Sequence, residues 1–137
     1  MNVVLVTGGF DPLHSGHIAY LQAAKKLGDT LIVGVNSDAW LERKKGRAFM
    51  PLHERCLIVS AIDCVDAAYR FDDSDDSACA FIQLMKEQYP DDTIIFANGG
   101  DRTASNIPEM SVKDVIFKFG VGGEDKKNSS SWILEDW

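Results

Sequence analysis

Three short runs of apolar, largely β-branched residues dominate what this chain can fold into. They are VVLV (Val3 to Val6), TLIVGV from Thr30 and TIIFA from Thr93. None alternates polar with apolar residues, as a strand with one wet face would. Each reads as a strand buried on both faces, the way strands of a parallel sheet read.

Between these runs the period changes. GHIAYLQAAKKL, from Gly16 to Leu27, places Ile18, Leu21, Ala24 and Leu27 on one helical stripe, and Gly28 closes it. Pro51 opens PLHERCLIVSAI, a helix with Leu57, Ile58 and Ala61 inward and proline in its first turn. DAAYRF is a short strand. DDSDDSACAFIQLMKEQY starts acidic, as a helix N-terminus prefers, then sets Ala78, Ile82, Met85 and Tyr89 on one face until Pro90-Asp91-Asp92. ERKKGRAFMP reads as a polar, basic loop, VIFKFG as a further strand, and NSSSWILEDW as a short helix begun by serines. Strand and helix alternating in this way predict an α/β chain: a Rossmann-like, doubly wound parallel sheet with helices on both faces. No repeat, linker or low-complexity segment interrupts it, so residues 1–137 read as one domain. That length buries a real core without disulfide or metal staples.

Composition narrows the function classes. Hydrophobic residues make up 45% and charged residues 26%, an ordinary soluble balance. A formal net charge of −7 argues against a sequence-independent grip on nucleic acid, so none is expected as a partner. No apolar stretch approaches the roughly 20 residues of a membrane span, so no membrane partner is expected either. Cys56, Cys64 and Cys79 are odd in number and embedded in apolar segments, which reads as reduced thiols of a cytoplasmic protein. Met1-Asn2 leads into only a short apolar run, unlike a signal peptide.

In open α/β sheets, ligands bind beyond the carboxyl ends of the strands. The loops there are TGGFDPLHSGH, NSDAWLERKKG and NGGDRTASN. Gly8 and Gly9 have no Cβ and let the backbone come close to a ligand. The first helix begins near Ser15-Gly16, and its free N–H groups point at the same place. His14 and His17 lie three apart, on one side of the first turn. Two imidazole donors beside a helix N-terminus suit phosphate oxygens and the charge that grows on them in a transition state. The same histidines could instead cap the helix, or join Asp11 around a metal; His53 is the remaining histidine.

HSGH, with GGFDPL before it, resembles the HxGH signature of the nucleotidyltransferase superfamily, which includes cytidylyltransferases, pantetheine-phosphate adenylyltransferase and nicotinate-mononucleotide adenylyltransferase. The blocks GVNSD, KKG, HERCLIVSAIDCVD, NGGD and NSSSWIL extend the likeness over nearly the whole chain. They are most similar to the adenylyltransferase domain of bifunctional ADP-heptose synthases, and nearly as similar to glycerol-3-phosphate cytidylyltransferases.

The resemblance implies transfer of AMP or CMP from a nucleoside triphosphate to a small phosphorylated acceptor, with release of pyrophosphate. It implies a catalytic set of His14, His17 and Lys45, the two histidines on the α- and β-phosphates and Lys45 as the phosphate-binding lysine. It places the backbone of Gly8, Gly9 and Phe10 along the same pocket, Gly99 and Gly100 near base or ribose, and Asp101 near the ribose. Arg102 becomes a phosphate or base contact, and Ser129, Ser130 and Ser131 a site for the β- and γ-phosphates. Asp11 and Asp38 face the acceptor hydroxyls, and Arg55 binds acceptor or triphosphate. Mg²⁺ is expected on the triphosphate, with no metal held by protein side chains alone, and the chain is expected as a homodimer.

Arg43 and Arg47 read as solvated, the acidic run Asp72 to Asp76 as a solvated helix start, and Trp132 and Trp137 as packing or dimer contacts. The chain departs from those families at Gly9, where they carry threonine or cysteine. It departs from glycerol-3-phosphate cytidylyltransferases again in GGEDKKNSSS, where they carry an arginine-threonine pair and this chain offers Lys126 or Lys127 as candidate substitutes. ATP and CTP both stay open as donors. A sugar 1-phosphate such as heptose 1-phosphate is the favoured acceptor, and glycerol 3-phosphate the second. Two readings of other classes stand beside these: a nucleotide-binding module without chemistry, and a metal-dependent hydrolase built on Asp11, His14 and His17.

Overall fold

The computed structural model describes residues 1–99 and 107–122. The apolar runs become the central strands of a five-stranded parallel sheet: β1 (Asn2–Gly8), β2 (Thr30–Val35), β3 (Ala67–Arg70), β4 (Thr93–Ala97) and β5 (Ile116–Lys118), in the order β3-β2-β1-β4-β5. That is a Rossmann-like doubly wound sheet, as expected from the sequence. Strand β1 pairs β2 through Leu5 and Ile32 and pairs β4 through Leu5 and Phe96. Its own side chains alternate between two cores. Val4 and Val6 face helix α1 (Ser15–Lys25) and helix α3 (Leu52–Ser60), with Leu21, Ala24 and Val59. Val3 and Leu5 face helix α4 (Cys79–Gln88), with Phe81, Ile82 and Met85. Both faces are covered, which is why the central strands carry no polar residue in their middles.

The structure corrects several local readings. Helix α1 ends at Lys25 with Lys26 as its cap in right-handed geometry, short of Gly28. Its inward positions are Leu21 and Ala24, while Ile18 is 37% exposed. On α3 the buried positions are Arg55 and Val59, and Leu57 is 66% exposed. The apolar residues alone suggested a stripe through Leu57, Ile58 and Ala61. A buried arginine turns the helix by part of a turn, and Leu57 is left in solvent.

The first part of ERKKGRAFMP is helical. Helix α2 (Asp38–Lys45) buries one apolar residue, Leu41, too few to show a period. Its ends hold it instead. Ser37 Oγ accepts the Trp40 N–H at 3.0 Å, Asp38 sits in the first turn, and Arg43, Lys44 and Lys45 fill the last. Gly46 closes it at φ 94°, a conformation that costs a side chain and is free to glycine.

The acidic run forms turns rather than a helix start. Asp72 accepts from Ser74, and Asp75 from Ser77, before α4 begins at Cys79. A 3₁₀ turn, Pro108–Ser111, follows β4, and its buried Glu109 accepts the Ala78 N–H at 2.7 Å. The expected C-terminal helix lies outside the described residues. Among the described residues no helix is long and apolar enough to cross a membrane.

Candidate active site

Strand β1 is followed by α1 on one face, while the chain leaving β4 runs to the 3₁₀ turn beside α4 on the other. Two neighbouring strands whose connections part to opposite faces open a crevice at their carboxyl ends, the switch point where ligands bind in such sheets. His14 and His17 stand at its rim.

His14 is the N-cap of α1, with its Nδ1 accepting the Gly16 N–H at 3.1 Å. His17 Nδ1 accepts the His14 N–H at 3.2 Å. This is a reciprocal capping box made from two imidazoles. The rings stack with centroids 3.9 Å apart, and the Phe10 ring meets His17 edge-on at 5.1 Å. Capping and the proposed chemistry therefore use different atoms. An Nδ1 that accepts a hydrogen bond leaves the proton of the neutral ring on Nε2, so the cap sets the tautomer. Burial first, then the nearby His14 and Lys45, push the His17 pKa down to about 4. His17 is thus neutral at physiological pH. The Gly16 N–H, expected to face a ligand, is taken by the cap.

Lys45 comes in from the last turn of α2. Its Nζ donates to the Asp11 carbonyl oxygen at 2.5 Å and lies 3.5 Å from the Asp11 carboxylate. Lys45, His14, His17 and Phe10 thus belong to one cluster.

Asp11 and Arg55, both expected at the acceptor, turn inward. Asp11 is 1% exposed, and its two carboxylate oxygens accept the N–H groups of Phe49 and Met50 at 2.6 and 2.7 Å. It clamps the α2–α3 connection against the loop after β1. Arg55 has no exposed surface. Its guanidinium donates to the carbonyls of Met50 (2.9 Å), Gly9 (3.0 Å) and Asn36 (2.7 Å) and to Asp38 Oδ1 (2.6 Å). A buried cation needs such a full set of acceptors, and here they come from the loops that carry the site. Arg55 ties the ends of β1 and β2 together, and Asp38 is the member of this group whose carboxylate reaches solvent, at 43% exposure.

The glycines answer to the protein's own packing. A Cβ on Gly9 would lie 2.8 Å from Leu41 Cδ2, and one on Gly8 would lie 3.0 Å from the Phe10 ring. The space a threonine or cysteine would use at position 9 is filled by α2. Gly99 backs onto the Tyr20 ring, whose hydroxyl donates to the Ala97 carbonyl at 2.8 Å. Gly100, Asp101, Arg102, Ser129, Ser130 and Ser131 lie outside the described residues, as do Lys126, Lys127, Trp132 and Trp137.

Two features had no sequence signal. Asp73, read as solvated, is buried; it accepts from the Ser37 N–H at 2.8 Å, Ser37 Oγ at 2.7 Å and Asn36 Nδ2 at 3.0 Å. Burial raises its pKa, but the Ser37 and Asn36 hydrogen bonds outweigh that and hold it below the usual carboxylate range. Arg43, also read as solvated, donates to the Asp73 carbonyl and pairs with Asp76 at 2.9 Å. Together they anchor the start of α2, the helix that supplies Asp38 and Lys45. Among the described residues no three His, Cys, Asp or Glu side chains converge as a metal-binding group, and Asp11 is spent elsewhere. The hydrolase reading therefore has no ligand set there.

The sequence pattern of the cytidylyltransferase-like family matches residues 5–131. The bifunctional protein HldE of Trichlorobacter lovleyi is 39% identical over 143 residues, covering 97% of this chain and 27% of that protein. HldE of Streptomyces coelicolor is 42% identical over 112 residues, covering 80% and 22%. The chain therefore spans about a quarter of the length of the curated relatives it matches. Among solved structures, the lipopolysaccharide core biosynthesis protein from Thermoplasma volcanium GSS1 superposes with a TM-score of 0.70 at 29% identity, covering 91% of this chain and 99% of that one.

Proposed function

The chain belongs to the cytidylyltransferase-like family, and from that premise we propose that it transfers AMP or CMP from a nucleoside triphosphate to a small phosphorylated acceptor, releasing pyrophosphate. A sugar 1-phosphate such as heptose 1-phosphate is the favoured acceptor, in keeping with the HldE relatives and the lipopolysaccharide core biosynthesis neighbour. Glycerol 3-phosphate is the second.

The observation that carries this reading is the stacked, cap-locked pair His14 and His17 at the switch point, with Lys45 alongside. In the reaction an acceptor phosphate oxygen attacks the α-phosphorus. A new P–O bond forms as the bond to the pyrophosphate oxygen breaks, and pyrophosphate leaves with that electron pair. No covalent bond to the protein is needed, so the work is positioning and charge stabilisation. His14 and His17 offer N–H donors from Nε2 whose direction is set in advance by the cap. Lys45 exchanges its Asp11 contacts for phosphate oxygens. Asp38, held at one oxygen by Arg55, presents the other to acceptor hydroxyls. Asp11 and Arg55 act as positioning residues beneath them. Gly8, Gly9 and Phe10 shape the wall beside the phosphates, and Gly99 stands on the nucleoside side.

The residues present fit a Mg²⁺ that arrives on the triphosphate and keeps its water and phosphate ligands. Bound there, it supplies neutralisation of phosphate charge. A homodimer in a reducing, cytoplasmic setting completes the proposal, and the three cysteines are free thiols.

The test is pyrophosphate release with Mg²⁺, running ATP, CTP, GTP and UTP separately against sugar 1-phosphates and polyol phosphates. Release with one pair, reduced by about 10²- to 10³-fold in His17→Ala, is the expected result. A His17→Ala variant that releases pyrophosphate at the wild-type rate would overturn the mechanism. Nucleotide binding with no release from any pair would favour the module without chemistry.

A further inference from the structure

Residues 71–77, which join β3 to α4, hold helix α2 at both of its ends. At the first end the buried Asp73 carboxylate accepts from the Ser37 N–H, Ser37 Oγ and Asn36 Nδ2. Ser37 Oγ in turn accepts the Trp40 N–H, so a chain of hydrogen bonds runs from Asp73 through the cap into the first turn. At the other end Arg43 Nη2 donates to the Asp73 carbonyl at 2.9 Å, and Arg43 Nε donates to Asp76 Oδ1 at 3.0 Å. One turn of chain thus grips an eight-residue helix that buries a single residue, Leu41. Packing gives such a helix little hold of its own, and most helical stability in proteins comes from a packed face.

The last turn of α2 shows what the grip serves. Arg43 and Lys45 are two residues apart, about 200° around a helix axis, and so point to opposite sides. Arg43 goes to Asp73 and Asp76, in the turn after β3. Lys45 goes to Asp11, in the loop after β1. When Lys45 exchanges Asp11 for phosphate oxygens, its own hold on that loop is given up, and the Arg43 ties remain at that end of the helix. A lysine is a point charge on a flexible stem, so the place of its helix decides much of what its ammonium group can reach.

We propose that Asp73 and Asp76 are positioning residues for Lys45, acting through the Ser37 cap and Arg43 to hold α2 where the ammonium group meets the triphosphate. The inference rests on the nucleotidyltransferase reading and adds to it a turn that the reaction itself does not touch. It also carries a sign. Both residues are carboxylates, and the ligand is a polyanion. By charge alone, removing either one would strengthen triphosphate binding. By positioning, removing either one weakens it.

The experiment measures the Kd for tripolyphosphate, ATP and CTP by calorimetry. It compares wild type, Asp73→Ala, Asp73→Asn and Asp76→Gly, each with and without Lys45→Ala, and the unliganded melting temperature reports the fold of each. Asp76 is exposed and sits at φ 62°, which glycine adopts freely, so Asp76→Gly tests the proposal even where Asp73→Ala does not fold. Asp73→Ala and Asp76→Gly should each weaken tripolyphosphate, and the nucleotide that wild type binds, by about threefold or more. Asp73→Asn keeps an oxygen for the Asn36 and Ser37 N–H donors, and its amide can donate to Ser37 Oγ, so its affinities should stay within about twofold of wild type. With Lys45→Ala in place, none of these substitutions should change a Kd by more than about twofold.

Unchanged or tighter binding in Asp76→Gly would overturn the inference. So would a loss in Asp73→Asn as large as that in Asp73→Ala, since the hydrogen bonds would then not be what matters. Equal weakening with and without Lys45 would show a general structural role and would overturn it too. If wild type binds neither nucleotide, the nucleotidyltransferase reading falls and takes the inference with it. If wild type binds and the variants show no dependence on Lys45, that reading survives and the inference alone fails.

Discussion

The Arg55 guanidinium meets the Asp38 carboxylate at 2.6 Å, with Arg55 wholly buried and Asp38 partly in solvent. One end of this pair is sealed in the interior and the other reaches solvent. Arg55 Nε and Nη1 donate to three backbone carbonyls from three different loops. The arginine therefore fixes where the carboxylate stands, and it fixes the loop ends around it.

Replacing Arg55 by methionine leaves Asp38 and three carbonyls without their donor. Breaking a buried charged network in this way costs about 3–5 kcal/mol. Chemical denaturation should show that loss, and Arg55→Lys should recover little of it, because a single ammonium group cannot span four acceptors. Wild-type stability in Arg55→Met would mean that these bonds hold nothing together.

The low pKa of His17 makes the protein sensitive to mild acid. Its folded value, about 4, lies below its ordinary 6.5, so the unfolded chain takes up the proton first. The contribution is fully present above about pH 6.5 and is lost as pH falls through the window down to about 4. The slope there is at most about 1.4 kcal/mol per pH unit. His17→Gln keeps the capping-box geometry without a titrating ring. Melting temperatures taken from pH 7 to pH 4.5 should fall more steeply for wild type than for this variant; parallel curves would show that His17 does not carry the dependence.

His14 has two tasks that can be separated. His14→Ala loses the cap and should lower stability by about 1 kcal/mol, along with turnover. His14→Asn restores a good N-cap but offers no imidazole Nε2. Its stability should match wild type while pyrophosphate release drops by about 10²-fold or more. Normal turnover in His14→Asn would show that this residue only caps the helix.

Gly9→Thr should be destabilising by about 1–3 kcal/mol through overpacking, because its Cβ would come within 2.8 Å of Leu41 Cδ2. Shortening the obstacle should compensate. The double variant Gly9→Thr/Leu41→Ala should lose less than the two single costs added together, as a denaturation cycle would show. Strict additivity would mean that Leu41 is not what excludes a side chain at position 9.

Much of this was legible in the chain, and the division follows range. The strands at Val3, Thr30 and Thr93, and the histidine pair at the first helix, rest on neighbours within a turn or a strand. Periodicity and local hydrogen bonding report these without knowledge of the fold. Helix α2 was missed although its cap signals were present, because only Leu41 packs inward and no stripe marks it. Burial of charge was not legible. Arg55 looked like a ligand contact and Asp73 like a solvated acid, since a charged side chain goes inward only where partners await it. Those partners are remote in sequence: Gly9 is 46 residues from Arg55, and Ser37 is 36 from Asp73. The parallel sheet and the position of the His14–His17 loop at the end of β1 follow from patterns within a strand or a turn. Which polar groups stay exposed, which are buried as ties between loops, and that the Asn98 amide has no partner among the described residues depend on contacts that folding alone brings together.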